Sequence, residues 1–76
     1  MTPPESLHSH VAFVLNGQER TAPRGASLQG VVALVVPAGR PVAVEVDGQV
    51  VPRSALADRV LAGGERIEIV TFVGGG

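Results

Sequence analysis

Twice in this chain a run of β-branched and apolar residues stops at a dipeptide that tolerates positive φ. Val11-Ala12-Phe13-Val14-Leu15 runs into Asn16-Gly17, and Val42-Ala43-Val44-Glu45-Val46 runs into Asp47-Gly48. A dipeptide of this kind between two extended segments closes a two-residue hairpin. The spacing therefore predicts two hairpins, with return strands at Gln18–Ala22 and Gln49–Val51, the second closed by Pro52. Val42, Val44 and Val46 alternate with Ala43, Glu45 and Asp47, the signature of a strand with one apolar face. A last strand follows, where Ile67 and Ile69 alternate with Arg66 and Glu68 and the apolar character continues through Val70, Phe72 and Val73.

Between the hairpins, Pro23, Arg24 and Gly25 break the extended pattern, and Ser27 is placed to cap a helix that begins at Leu28. Leu28, Val31, Val32 and Val35 stand at i, i+3, i+4 and i+7 on one helical face, although Gly30 and four valines give poor local propensity. A strand over residues 31–36 is the competing reading, and Pro37 ends either element. Ser54 is expected to cap a brief helical turn that buries Leu56, Val60 and Leu61 before Gly63-Gly64. A hairpin, a helix, a strand pair, a short turn and a final strand suit a mixed sheet with the helix across one face, the last strand lying beside the first. Periodicity by itself defines a small α+β domain. The order of elements suits a ubiquitin-like β-grasp of four to five strands, occupying residues 11–73 after a disordered extension at 1–10 and before a flexible glycine tail at 74–76.

The chain has 76 residues and no cysteine, so a domain of this size is held by core packing alone. Six arginines against seven acids give a net charge of −1, which removes the basic field expected of a nucleic-acid or anionic-membrane binder. The longest apolar stretch, Val31 to Val36, is too short to span a bilayer. The N-terminus resembles neither a signal peptide nor a lipidation motif, and a cytoplasmic location is expected. Lysine is absent, which closes any chemistry by a side-chain amine. His8 and His10 supply only two ligands for a metal, and Ser27 and Ser54 have no partnered base, so neither a metal centre nor a hydrolytic triad is expected. Arg53, Arg59 and Arg66 are read as solvated surface charges, with pairing to a partner's acids as the alternative.

Three glycines, Gly74, Gly75 and Gly76, follow the last strand without a linker. Extended at ~3.3–3.6 Å per residue they project roughly 10 Å with no side chain, a probe slender enough for a narrow channel. The α-carboxyl of Gly76 is a poor electrophile until activated. Transfer of AMP from ATP would make it an acyl adenylate, and attack by sulfur on that adenylate would leave a thiocarboxylate. The ATP belongs to the activating partner, and no cofactor is expected to stay bound to this chain.

Three blocks resemble the ThiS-type sulfur carriers of thiamine thiazole biosynthesis. They are Leu15-Asn16-Gly17, the run from Val44 to Ser54 (Val-Glu-Val-Asp-Gly-Gln-Val-Val-Pro-Arg-Ser), and Gly64-Glu65-Arg66-Ile67-Glu68-Ile69-Val70 leading to Gly75-Gly76. The resemblance covers residues 11–76 and departs from the family in the longer N-terminus and the third glycine, Gly74. It implies a carrier that is not itself an enzyme. Gly76 would be adenylated by a ThiF-type adenylyltransferase, loaded with persulfide-derived sulfur and used by a ThiG-type thiazole synthase, with the free carrier a monomer. The small subunit of molybdopterin synthase and a non-reacting ubiquitin-fold binding module are the alternatives. If Ile67 and Ile69 face the helix, strand parity turns Val70 and Phe72 outward, with Ala12 and Val14 on the adjacent strand, as a partner-docking face. A bulge near Val70 would instead bury Phe72.

Overall fold

The computed structural model describes residues 9–72. Residues 1–8 of the N-terminal extension, and Val73 with the glycines at 74–76, lie outside the described residues. Strands β1 (His10–Leu15) and β2 (Gln18–Pro23) form the first hairpin, helix α1 (Leu28–Val35) follows, and β3 (Val42–Val46) and β4 (Gln49–Val51) form the second hairpin. A single 3-10 turn, Arg53–Ala55, and a final strand β5 (Arg66–Thr71) complete the order. The five strands lie as β2-β1-β5-β3-β4, with β5 parallel to β1 and antiparallel to β3. This mixed sheet, with the helix Leu28–Val35 across one face, is the ubiquitin-like β-grasp that the order of elements suggests. The first strand begins at His10 and not at Val11. His10 is paired with Pro23, and the Arg24 N–H donates to the Ser9 carbonyl at 2.7 Å, so the ladder reaches into the segment expected to be disordered.

Both hairpins turn on an Asx-Gly pair in left-handed backbone, Asn16 at φ 47° and Gly17 at 84°, then Asp47 at 51° and Gly48 at 85°. That geometry matches the twist of the flanking strands, and Asn and Asp reach it at low cost. The two turns also hold the central strand from opposite sides. Asn16 donates its N–H to the Ile67 carbonyl at 2.9 Å, while Asp47 donates to the Arg66 carbonyl at 2.8 Å and accepts from the Arg66 N–H on Oδ1 at 2.9 Å.

Parity then decides the core. Val11, Phe13 and Leu15 of β1, Val44 and Val46 of β3, Val51 of β4 and Ile67 and Ile69 of β5 all turn inward against Leu28, Val31 and Val32 of the helix. Each such side chain contributes on the order of 1.5–3 kcal/mol when fully buried. The helix, eight residues long and without a charge, is supported by the chain that passes its N-terminus. Its first N–H groups are all met: Leu28 donates to the Arg59 carbonyl at 2.7 Å, Gln29 to the Leu56 carbonyl at 3.0 Å and Gly30 to Ser27 Oγ at 3.2 Å. Ser27 is thus the expected cap, and the strand alternative for residues 31–36 is excluded.

Three expectations about the core are corrected. Val35 is 39% exposed, and Val36 is buried in its place, because the chain leaves the helix there into extended backbone (φ −129°, ψ 127°). Ser54 lies inside the 3-10 turn and caps nothing; Pro52, extended at φ −65° and ψ 150°, holds the cap position. Val60 is 54% exposed although Leu56 and Leu61 are buried. The 3-10 turn is followed by a single wider turn, closed by the Arg59 N–H on the Ala55 carbonyl at 3.1 Å, and the chain then passes into an isolated bridge from Val60 to Ser27, so helical periodicity does not reach Val60.

Candidate docking face and the approach to the tail

The register of β5 against β3 is unbroken from Val46↔Ile67 to Val42↔Thr71. Without a bulge, parity carries Arg66, Glu68, Val70 and Phe72 to the face away from the helix. Val70 is 54% and Phe72 55% exposed. Past the end of the strand the Phe72 N–H still reaches the Pro41 carbonyl, at 3.4 Å, so the extended direction is kept up to the last described residue before the glycines.

Ala12 is exposed and Val14 half-buried on the same outer face, but they do not join Val70 and Phe72. The parallel register places Val14 beside Arg66, four residues and roughly 13 Å along β5 from Val70. The actual neighbours of the apolar pair are on β3, where Ala43 stands opposite Val70 and Pro41 lies beside Phe72. One row further along, Glu45 stands opposite Glu68, and Val50 of β4, 71% exposed, stands opposite Glu45. These β3 and β4 residues were not singled out in the sequence. The outward parity of Ala43 and Glu45 was legible, but which strand end they would share with Phe72 was not.

The loop that feeds β5 is organised by Glu65, whose role no local sequence pattern signals. Glu65 is buried, and its two carboxylate oxygens accept from the Ala62 N–H at 2.6 Å and the Gly63 N–H at 2.7 Å. This carboxylate closes a loop whose Gly63 and Gly64 both need positive φ, 102° and 85°. Gly64 in turn donates to the Ala12 carbonyl at 2.7 Å, which starts the pairing of β5 with β1. Glu65 is therefore structural, fully occupied by its own loop.

The remaining candidates stay apart. Among the described residues no three His, Cys, Asp or Glu side chains gather as a metal site, and His10 Nδ1 meets only the Ser9 hydroxyl, at 3.1 Å. Arg53, Arg59 and Arg66 are exposed and scattered. No helix among the described residues is long and apolar enough to cross a membrane. Gly74, Gly75 and Gly76 lie outside the described residues.

A five-stranded mixed sheet with a central β5, parallel to β1 and antiparallel to β3, and a helix packed across one face defines the class: a small ubiquitin-like β-grasp domain. Residues 13–76 match the ThiS family, and the chain belongs to that family. It superimposes on the crystal structure of a thiamine biosynthesis protein (ThiS) from Geobacter metallireducens with a TM-score of 0.70 at 28% identity, covering 87% of this chain and 100% of that one. It is also 35% identical over 64 residues, 84% of its length, to a thiazole synthase of Paramagnetospirillum magneticum (strain ATCC 700264 / AMB-1). The chain spans only 20% of that relative's length.

Proposed function

We propose that this chain is a sulfur carrier of thiamine biosynthesis whose reacting group is the α-carboxylate of Gly76. The observation that carries the reading is that the family match runs through the glycines to residue 76. A carboxylate oxygen of Gly76 attacks the α-phosphorus of ATP on a ThiF-type adenylyltransferase, and pyrophosphate leaves. The terminal sulfur of a persulfide then attacks the acyl carbon and AMP leaves. A thiol cleaves the resulting acyl disulfide, forming its own disulfide with the donor and releasing the thiocarboxylate. The soft sulfur anion is delivered to a ThiG-type thiazole synthase. Gly74 and Gly75 form the part of the tail that enters the partner's channel, since glycine alone adds no side chain to the cross-section.

In this reading the carrier is a monomeric cytoplasmic co-substrate, and the chemistry belongs to its partners. The outward end of β5, Val70 and Phe72, supplies the docking anchor, with Ala12 and Val14 at the far end of the same face as secondary contacts. Exposed aromatic side chains at the centre of a patch are frequent anchors of protein interfaces.

The test is intact-mass measurement after incubation with ATP, a persulfide donor, a thiol and a purified ThiF-type adenylyltransferase. A mass gain equal to one oxygen replaced by sulfur, present in the full chain and absent when Gly76 is deleted, is expected. No gain with an adenylyltransferase that loads this chain's relatives would replace the carrier by a binding module that works through its sheet face.

A further inference from the structure

Where α1 hands over to β3, the 3-10 turn closes against the end of the helix and leaves a groove of about 250 Å³. Val32, Val36, Val42 and Leu56 line it with apolar surface, and Arg40 and Arg53, both exposed, stand beside them. It is smaller than the ~300–1,000 Å³ of ordinary small-molecule sites, so whatever fills it is slender. No acidic side chain lines it, and among the described residues neither guanidinium has a hydrogen bond or an ion pair. The helix carries no charge, Glu45 and Glu68 of the adjoining strands have the outward parity, and Asp58 lines a separate hollow beside β4. Two arginines without a counter-ion, set over apolar surface, suit a carboxylate on a thin stem.

The chain's own terminus starts beside this groove. Thr71 is paired with Val42, one strand spacing of about 4.8 Å away, and the Phe72 N–H reaches the carbonyl of Pro41, the neighbour of Arg40, at 3.4 Å. Residues 73–76, outside the described residues, have a reach of roughly 13–14 Å, which covers that spacing and leaves roughly 9 Å to cross the groove. Gly74, Gly75 and Gly76 bring no side chain into so small a slot. In the carrier reading, on which this inference rests, they end in a free α-carboxylate, the charge that the arginines lack. A single exposed ion pair contributes little, but here two guanidinium groups meet one carboxylate, and a short tether holds it at an effective concentration in the millimolar range.

We propose that in the free carrier this groove seats the glycine tail, with the Gly76 carboxylate held between Arg40 and Arg53. The seat competes with the partners for the tail. Only the fraction of carrier with its tail lifted out can enter a partner's channel, so the apparent affinity falls in proportion to that fraction.

The test uses the full, isotope-labelled chain in nuclear magnetic resonance, with no partner present. Proximity contacts from the Gly75 and Gly76 Hα atoms to the Val36 and Val42 methyl groups are expected at low salt. They should be lost in the R40Q/R53Q double variant and at ~1 M salt, where the Debye length is ~3 Å. Each single variant should shift the Gly76 amide in the same direction as the double, by a smaller amount. R20Q removes the same charge from β2, at the Arg66 end of the sheet, and should leave Gly76 unmoved. All three arginines are exposed, so the amide spectrum of the sheet should stay as it is. Absence of the contacts at low salt, or a Gly76 amide indifferent to both arginines, would overturn the seat and leave the groove to an acidic side chain of a partner. An equal shift in R20Q would reduce the effect to net charge and overturn it as well. The mass assay keeps the two readings apart: a chain that gains sulfur and shows no contacts loses only the seat, and one that shows the contacts and gains no sulfur loses only the carrier reading.

Discussion

The side chain of Asn16 satisfies both backbone groups of Ile69. Its Oδ1 accepts from the Ile69 N–H at 2.8 Å and its Nδ2 donates to the Ile69 carbonyl at 3.3 Å. The β1 backbone turns away at residue 16, and the amide takes over the ladder that β1 can no longer supply to β5. The same residue holds φ 47° for the hairpin. Asn16→Gly removes the side-chain bonds but keeps the backbone at ease, and should cost about 1–2 kcal/mol; Asn16→Ala adds the strain of positive φ and should cost about 2–3 kcal/mol. Urea unfolding of the two variants checks both the loss and its order.

Glu65 offers a second test of a polar group inside the fold. Glu65→Gln leaves one oxygen for the Ala62 and Gly63 N–H groups and turns an NH₂ toward the other donor. A loss of about 1–3 kcal/mol is expected, read as a lower urea midpoint together with faster hydrogen exchange at the Ala62 and Gly63 amides.

At the end of the helix the two adjacent valines should part company. Val36→Ala removes two methyl groups from a buried site and should cost about 1–3 kcal/mol, whereas Val35→Ala should stay within about 0.5 kcal/mol and gain a little helix propensity. Equal losses at the two sites would contradict the extended exit at Val36.

Phe72→Ala separates docking from folding. More than half of this side chain is exposed, so the thermal midpoint should move by no more than about 2 °C. In the proposed carrier, affinity for the adenylyltransferase or the synthase should fall at least about tenfold, as expected for an aromatic anchor. Ala12→Ser, far from the tail on the same face, should change either affinity less than Phe72→Ala does.

Much of the fold was legible because its signals are local. The Asn16-Gly17 and Asp47-Gly48 turns, the alternation at Val42–Val46 and Ile67–Ile69, and the Ser27 cap each state their geometry within a few residues. The helix itself was not decidable in this way. Its poor propensity is offset by carbonyls of Leu56 and Arg59, which lie some thirty residues away in sequence and carry no side-chain signature. Helical spacing misplaces Val60 because the turns end at Arg59 and Val60 already lies in an extended bridge to Ser27. On the candidate face, parity correctly turned Val70 and Phe72 outward. Parity says nothing about position along a strand, however, and the parallel register that sets Val14 against Arg66 joins segments more than fifty residues apart. Hence Ala12 and Val14 were grouped with a patch whose real neighbours are Pro41, Ala43 and Glu45.

The central place of β5 also governs when this protein can exist. Before residues 66–71 are available there is no sheet, only two hairpins with no shared ladder, and an isolated hairpin is marginal in water. A ribosome must therefore have delivered the strand next to the glycines before any native structure can close. A product terminated before residue 66 lacks this strand and, in the proposed carrier, both the glycine that would react and the sheet face a partner would recognise.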